Sequence, residues 1–364
     1  LAKSQLPLIR AAIDALPAAS RDRHLGMFAN AMFTRMSAVK PQIKYRYLDA
    51  GFAVIGDHAQ AVEAKKVWDY YQDLLGELRL EASVEGPAAV GTAPFGLRVD
   101  IVHSPEIERE SGGFQKYATN QNNQPYAWNY GRPLENYRDK FQEAVSTSLQ
   151  EHFEVLSVTF NSEAMTSKPT DAPGWRRTPY AWVLLQARGP QVDRVPEIKL
   201  DLDFLDTSGF TILPIGSSPV VIDASAKAEE RPWSNLEVTQ LLDERRADEG
   251  KITLEIKAKA SGLVPPLESI LQLDLPGFVI GKRDDQGASV NRFREDQDGI
   301  ESERVWLLSL QPKDGESRPT QFVFGKPRAD GIKAVYQRYD DADLQTVTPE
   351  VALGHLHASG NPAW

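Results

Sequence analysis

The sequence predicts an α+β protein that is mainly β, in which an N-terminal helical segment precedes two antiparallel, immunoglobulin-like β-sandwich domains. Three observations support this prediction. Apolar residues recur every three or four positions up to Gly76, and over most of 78–325 they alternate with polar residues. Helical spacing returns within the β region only at residues 134–152. Clusters of glycine, proline, aspartate and serine separate the alternating stretches, as is typical of antiparallel sheets.

Residues 1–77 are predicted to form helices. One helix closes at Pro17, and its apolar face consists of Leu6, Ile9, Ile13 and Leu16. Ser20 suits the N-cap of a second helix, whose apolar positions are Leu25, Phe28, Met32 and Met36. Asp57 suits the N-cap of a further helix, whose inward positions are Ala64, Val67, Trp68, Tyr71 and Leu75. Residues 42–55 show no clear period, and we prefer a helix there.

Residues 78–225 are predicted to form the first β-sandwich domain, with the helix 134–152 inserted in it. At its start Leu78, Leu80, Ala82 and Val84 alternate with Arg79, Glu81 and Ser83. The predicted strands lie at 78–84, 95–101, 153–160, 180–187, 198–205, 210–215 and 220–223. The polar stretch 225–235 is predicted to be a linker.

Residues 236–325 are predicted to form the second β-sandwich domain. Its predicted strands lie at 252–256, 271–275, 278–280, 305–310 and 321–324. After Gly325 the alternation is lost, so residues 326–364 are predicted to be a C-terminal tail along the surface.

Composition excludes several classes of function. The net charge is −10, which argues against a nucleic-acid partner, because such proteins need a basic face. The chain has no cysteine, which excludes disulfides, thiolate-bound zinc and iron–sulfur clusters. No apolar run reaches the ~18 residues of a transmembrane helix. Arg10 and Asp14 interrupt residues 1–20, so that segment is not expected to be a signal peptide.

Part of the second β domain resembles a known family. Residues 250–268 run from an alternating stretch, Lys-Ile-Thr-Leu-Glu-Ile-Lys, into Gly262 and then Leu-Val-Pro-Pro. Later stretches, 304–312 and 321–324, fit the same outline. Over residues 230–325 this pattern resembles the β-sandwich modules of bacterial aerotolerance-operon envelope proteins. The resemblance implies an exported, non-enzymatic protein in the periplasm, on the cell surface or outside the cell, which contacts other proteins, including a larger envelope assembly. It transfers no functional residue.

The segment 114–137 is the candidate binding patch. It interleaves aromatic and amide side chains, and the candidate residues are Tyr117, Asn120, Asn122, Asn123, Tyr126, Trp128, Asn129, Tyr130 and Arg132. Such a composition favours a protein-binding surface. It also suits glycans, because amides match sugar hydroxyls and rings stack on apolar sugar faces. A third interpretation is a long loop whose aromatic residues form a local core. A second aromatic and basic cluster, at 175–182, is interpreted as strand-entry packing.

One carboxylate cluster and three histidines are further candidates for metal binding or catalysis. Asp296, Asp298 and Glu301 offer oxygen ligands for Ca²⁺, although a solvated hairpin explains them better. Otherwise no cofactor is expected. His355 and His357 would share one face of a strand, but a solvated tail is the preferred interpretation there. His103 is interpreted as a strand-end residue rather than a catalytic base.

A glycoside hydrolase-like enzyme is the remaining alternative. Glu106, Glu108 and Glu110 would lie on one side if residues 105–110 were extended, and Asp201, Asp203 and Asp206 follow a predicted strand. Paired carboxylates are what glycoside hydrolysis requires. The same spacing fits an exposed strand edge, and no nucleophile elbow, zinc-protease motif or phosphate-binding loop is present. The preferred function is therefore a non-enzymatic interaction or scaffold protein.

Overall fold

Four helices occupy the N-terminal part of the chain, as the helical spacing predicts. The computed structural model describes residues 3–110, 128–129, 132–133, 137–161, 167–206, 209–249, 251–294, 299–314, 319–340 and 343–353. Within these ranges the α-helices are α1 (Leu6–Asp14), α2 (Ala18–Phe33), α3 (Pro41–Ile55), α4 (Val62–Gly76), α5 (Pro105–Glu110), α6 (Tyr137–Leu149) and α7 (Leu267–Ile270). Helix α3 starts with proline and stops at Gly56, whose φ of 64° is left-handed. The unclear stretch 42–55 is thus helical.

A five-stranded antiparallel sheet forms the centre of the first β unit. Its strands are β1 (Leu78–Val84), β2 (Phe95–His103), β5 (Phe153–Phe160), β6 (Lys168–Pro169) and β7 (Arg176–Ala187). They lie in the order β1-β2-β7-β5, and β6 also pairs with β7. Three separate two-stranded pairings belong to this part of the chain, and their strands are β3 (Trp128–Asn129), β4 (Arg132–Pro133), β8 (Arg194–Val195), β9 (Lys199–Asp206), β10 (Gly209–Gly216) and β11 (Val220–Val221).

One hydrophobic core joins the helical segment to this sheet. Leu48 of α3 and Tyr71 of α4 are buried in the same cluster as Leu97 of β2 and Leu185 of β7. Helix α6, inserted as predicted, contributes Phe141 to the same cluster. Helices α3, α4 and α6 therefore cover one face of the sheet, while Ala29 of α2 and Ile55 of α3 are buried in a small cluster within the helical segment.

The second β unit is built on a six-stranded sheet. The strands after residue 232 are β12 (Trp233–Arg246), β13 (Lys251–Gly262), β14 (Leu271–Gln272), β15 (Phe278–Arg294), β16 (Gly299–Pro312), β17 (Gln321–Val323), β18 (Lys326–Pro327), β19 (Lys333–Asp340), β20 (Asp343–Thr346) and β21 (Glu350–Ala352). The order in the six-stranded sheet is β15-β16-β13-β12-β19-β20, and every pair is antiparallel except β12 with β19. Buried residues of β13 and β16 share a core with Leu271, Phe322 and Val351 from the short strands.

Two features of this sheet correct the sequence prediction. Residues 326–352, predicted as part of a surface tail, supply β18 to β21, and β19 lies between β12 and β20. The parallel pair of β12 and β19 departs from the predicted all-antiparallel sheets. Both strands carry polar residues on their inward face, where Arg338 of β19 donates to Glu244 of β12 at 2.5 Å. Inward polar residues break the apolar alternation on which strand prediction depends.

Candidate functional site

A small hydrophobic cluster joins the two β units. Trp182 and Leu184 of β7 are buried with Phe293 of β15, Ile300 of β16 and Leu263, which follows β13. We call these five residues the inter-unit cluster. The side chains of β7 on this face are therefore covered by the second unit, although the opposite face of the same strand lies in the first core.

Residues 225–232 connect the two units, and we call them the connecting segment. This segment is held against the first unit. Arg231 donates to the backbone oxygens of Glu85, Pro87 and Ala89 at 3.3, 2.5 and 2.6 Å. The backbone N–H of Glu229 donates to the same Ala89 oxygen at 3.0 Å. The sequence predicts a linker at 225–235. In the structure Glu229 and Arg231 of this stretch are fixed to the first unit by hydrogen bonds.

A groove lies where the connecting segment and both units meet. Its volume is about 360 Å³, and its lining residues are Ala93, Pro94, Lys227, Ala228, Glu229, Glu230, Arg231, Leu263, Val264, Pro265, Pro266, Ser269, Ala288 and Arg304. We call it the inter-unit groove. Three of its lining residues are prolines, which have no backbone N–H to donate. Together with the aliphatic residues they give the groove mainly apolar walls.

Three charged residues at the groove, Glu230, Arg231 and Arg304, are held by hydrogen bonds. Arg304 forms two hydrogen bonds to Asp285, with Nε–Oδ1 and Nη2–Oδ2 distances of 3.0 and 2.6 Å. Burial raises the pKa of Asp285, but hydrogen bonds from Arg304 and from the Gly287 N–H outweigh it and leave this pKa below its ordinary value. Glu230 accepts a hydrogen bond of 2.8 Å from the indole N–H of Trp233. Fixed charges beside apolar walls are typical of binding pockets.

A second cavity lies on the sheet of the first unit. It measures about 410 Å³, and its lining residues are Ser83, Arg98, Asp100, Lys168, Pro169, Thr170, Asp171, Arg177 and Pro179. We call it the charged cleft. Strand pairing places Arg98 opposite Ser83, and β6 brings Lys168 opposite Arg177. The Asp100 side chain is only 7% exposed and contacts the Nε atoms of both Arg98, at 3.0 Å, and Arg177, at 3.6 Å.

Most of the predicted binding patch lies outside the described residues. Tyr117, Asn120, Asn122, Asn123, Tyr126 and Tyr130 belong to this undescribed part. Trp128, Asn129 and Arg132 belong to the two-residue strands β3 and β4, which pair with each other. The side chains of these three residues lie outside the description as well, so the binding role of the patch stays a prediction.

The calcium hypothesis is tested only in part. Asp296 and Asp298 are outside the described residues, and the Glu301 carboxylate forms an ion pair with Arg292. Throughout the ranges that the structure describes, no group of three or more metal-ligating side chains is assembled. His355 and His357 also lie outside those ranges.

The extended arrangement considered for the glutamates is wrong. Residues 105–110 form the helix α5 and are not extended, so the period-two spacing of Glu106, Glu108 and Glu110 does not place them on one side of a strand. Asp201 on β9 is an exposed residue that pairs with Arg46 of α3 at 3.2 Å. His103 is a buried strand-end residue, as predicted, and its Nε2 is 3.2 Å from the hydroxyl of Thr178.

Neither the groove nor the cleft was predicted from the sequence. Local signals were Pro94 and the pair Pro265 and Pro266 at the groove, and the basic cluster at 175–182, which was interpreted as strand-entry packing but supplies Arg177 and Pro179 to the cleft. None of the helices in the described ranges is both long and apolar enough to span a lipid bilayer. No protein-family model and no curated protein matches the sequence.

Proposed function

We propose that this protein is a non-enzymatic interaction protein, and that its inter-unit groove binds an extended, apolar segment of another protein. The observation that carries the proposal is the groove itself, which lies between two β units and has proline and aliphatic walls. Its volume of about 360 Å³ falls within the range of roughly 300–1,000 Å³ for binding pockets. Arg304 and Glu230 are already held by Asp285 and Trp233, so little ordering is needed on binding.

Filling the groove tests this proposal. Short peptides are first selected on the intact protein from a phage-displayed library, and their binding is then measured by fluorescence anisotropy. Ala288 is half-buried on β15 and lines the groove, so Ala288→Phe occupies the space that a peptide side chain would take. We expect peptide binding to weaken by at least tenfold. Ala172→Phe makes the same change at an exposed turn outside the groove and should leave binding unchanged.

Two results would overturn the proposal. One is selection of peptides that bind wild type, Ala288→Phe and Ala172→Phe equally. The other is failure of the library to yield any groove-dependent peptide. Circular dichroism of each variant separates loss of the groove from loss of the fold.

Two finer proposals accompany this function. The short strands β14, β17 and β21 contribute buried residues to the core of the six-stranded sheet, and β18 pairs with β14, which supports a sandwich arrangement in the second unit. The resemblance of residues 230–325 to envelope β-sandwich modules supports a place in the cell envelope or outside the cell. Fractionation of cells expressing the natural full-length gene tests that location, and recovery in the cytoplasm would overturn it.

Glycan binding by residues 114–137 stays a prediction, as does a glycoside hydrolase activity. A glycan array with wild type and the pair Trp128→Ala and Tyr130→Ala would test the first. Saccharide binding that depends on these two residues would place recognition there instead of in the inter-unit groove.

A further inference from the structure

We propose that one face of the six-stranded sheet is a dimer interface, and that the partner it takes is a second copy of this chain. This is the face that points away from the core of the second unit, and we call it the outer face. Its apolar residues, its pattern of charges and its area favour this partner. None of these properties involves the inter-unit groove.

Strand pairing aligns the residues of the outer face in rows across β16, β13, β12 and β19, in that order. The first row is Glu303, Lys259, Glu237 and Lys333, and the second is Val305, Lys257, Thr239 and Val335. The third is Leu307, Glu255, Leu241 and Gln337, and the fourth is Ser309, Thr253, Asp243 and Tyr339. Residues directly opposite each other share a face. The residues between the rows, such as Leu254 and Trp306, are buried in the core, so the rows point away from it.

Apolar side chains lie on both flanks of the outer face. Val305 and Leu307 belong to β16, and Leu241, Val335 and Tyr339 belong to β12 and β19. All five are half-buried, and the neighbouring side chains of Lys259 and Lys333 are 59% and 71% exposed, so the face is open to solvent. Covering half-buried apolar side chains with a second surface releases water from them and is favourable.

The charges of the first row alternate in sign and are self-complementary. Ion pairs within the chain join Lys259 to Glu303 at 3.6 Å and Lys333 to Glu237 at 2.6 Å. A two-fold axis that runs parallel to the strands, between β12 and β13, places Glu303 over Lys333 of the second copy and Lys259 over Glu237 of the second copy. Each charge then meets one of opposite sign, and no unpaired cation is required. The same axis brings the apolar side chains of β16 onto those of β19.

The outer face is nearly neutral, although the chain has a net charge of −10. Its four rows hold three lysines, 257, 259 and 333, and four carboxylates, those of residues 237, 243, 255 and 303. One of these carboxylates, Asp243, also forms an ion pair with Arg245 at 2.7 Å. Two acidic chains therefore meet through this face with little repulsion.

The area of the outer face matches that of a stable interface. Six strands spaced ~4.8 Å apart, each with about eight residues that rise ~3.3 Å, cover roughly 750 Å². A standard interface buries about 800 Å² on each partner. Sheets that pack face to face keep their strand directions within about 30° of each other, as an axis parallel to the strands requires.

Sedimentation velocity over a range of concentrations tests the proposal on the intact protein. We expect a reversible dimer with twice the chain mass of 40.5 kDa. Val335→Lys puts a charge on an apolar flank of the outer face and should weaken dimerisation roughly tenfold or more. Leu8→Lys adds the same charge at a position on α1 that is 70% exposed, and it should leave dimerisation unchanged. Circular dichroism of each variant confirms the fold.

Charge reversal tests the position of the axis. Lys259→Glu places two carboxylates opposite each other at each of the two symmetric contacts and should weaken dimerisation roughly tenfold. Adding Glu237→Lys to the same chain makes the facing charges opposite again, so the double variant should recover dimerisation. Both side chains are well exposed, so neither change threatens the fold.

A single introduced cysteine tests the same contact, because the natural chain has none. Thr239 lies on β12, beside the proposed axis, so a short bismaleimide should link Thr239→Cys to its counterpart in the second copy. Ala172→Cys, at an exposed turn of the first unit, is the matched control and should stay unlinked.

A monomer at every concentration would overturn the proposal, as would a dimer that Val335→Lys leaves unchanged. Failure of the double charge variant to recover dimerisation would also overturn it, and so would equal cross-linking of Thr239→Cys and Ala172→Cys. Ala288→Phe fills the inter-unit groove without changing any residue of the outer face, so failure of one proposal is distinguishable from failure of the other.

Discussion

Arg177 holds together two carboxylates on neighbouring strands. The antiparallel register places Glu81 of β1 directly opposite Asp100 of β2, and like charges in that position repel each other. Arg177 of β7 forms ion pairs with both of them, and Arg98 forms a further pair with Asp100. The arginines of the charged cleft thus have a structural role.

We expect Arg177→Gln to destabilise the first unit. The change leaves the carboxylate repulsion without one of its bridges, but Arg177 is partly exposed and Asp100 keeps Arg98, so we expect a loss of about 1–2 kcal/mol. Urea unfolding followed by circular dichroism measures this change. Arg194→Gln breaks an exposed pair between neighbouring residues and should cost much less. Equal losses for the two variants would contradict the bridging role.

Asp285 makes the second unit sensitive to acid. Its folded-state pKa lies below the ordinary value, so the stabilisation that it provides is present above about pH 4 and is lost as the pH falls through the folded-state pKa. Asp285→Asn should therefore be less stable than wild type at pH 7, and the difference should shrink at pH 3. Denaturant unfolding at several pH values measures the difference. Asp330→Asn, at an exposed position of the same unit, is the matched control, and an equal pH dependence for both variants would contradict this assignment.

Gly262 is the last residue of β13 and lies against the backbone of the connecting segment. Its φ is 93°, and a Cβ atom there would lie 2.4 Å from the backbone oxygen of Pro232. Gly331 has a φ of 88° with open space around it. The two glycines therefore share an unusual backbone conformation but differ in the space available to a side chain.

We expect Gly331→Ala to cost about 1 kcal/mol, the strain of a left-handed residue, and Gly262→Ala to cost roughly 3 kcal/mol or more. The additional cost arises because a backbone oxygen can move only if the connecting segment moves with it. Thermal unfolding of the two variants compares the costs. Similar values would show that the contact with Pro232 is easily relieved.

The strand elements show which patterns can be predicted from a sequence. The bounds of β1 and β5 match the predicted 78–84 and 153–160, because one face of each strand carries mainly apolar residues. Strand β12 was missed since its inward face includes Gln240, which is hydrogen-bonded to the backbone of Gly325, and Glu244. Partners that lie more than 80 residues away are not visible in local alternation.

Strand β15 was recognised only at its first three residues for a different reason. It lies at the edge of the six-stranded sheet, and most of its residues up to Gly287 are exposed on both faces. Three register shifts interrupt its pairing with β16. Exposed charges and bulges are common on edge strands, where they prevent pairing with another chain. They also remove the period-two pattern.

The candidate sites were less predictable than the fold. The inter-unit groove combines residues from 93–94, 227–231 and 263–304, and the charged cleft combines β1, β2, β6 and β7. Each site exists only once distant strands have paired. A single sequence does not contain those pairings, so even Arg177, which lies in the basic cluster at 175–182, could not be assigned to a site.

The two β units meet through a cluster much smaller than either core. Among the described residues its buried members are Trp182, Leu184, Leu263, Phe293 and Ile300, whereas each unit has a large core of its own. Arg231 adds hydrogen bonds at the base of the connecting segment. Units that share a small interface move relative to each other unless that interface is well packed. The groove requires both units, so its shape depends on this cluster.

Phe293→Ala should therefore allow the two units to unfold independently of each other. Removing a buried phenylalanine costs about 3–5 kcal/mol, and here the loss falls on the interface. We expect one calorimetric transition in wild type and two in Phe293→Ala, together with weaker peptide binding to the groove. Phe322→Ala removes an equally buried ring from the second core, so it should lower the stability of that unit but leave the contacts of the inter-unit cluster in place. If Phe293→Ala still unfolds in one transition and keeps full peptide binding, the cluster does not couple the units.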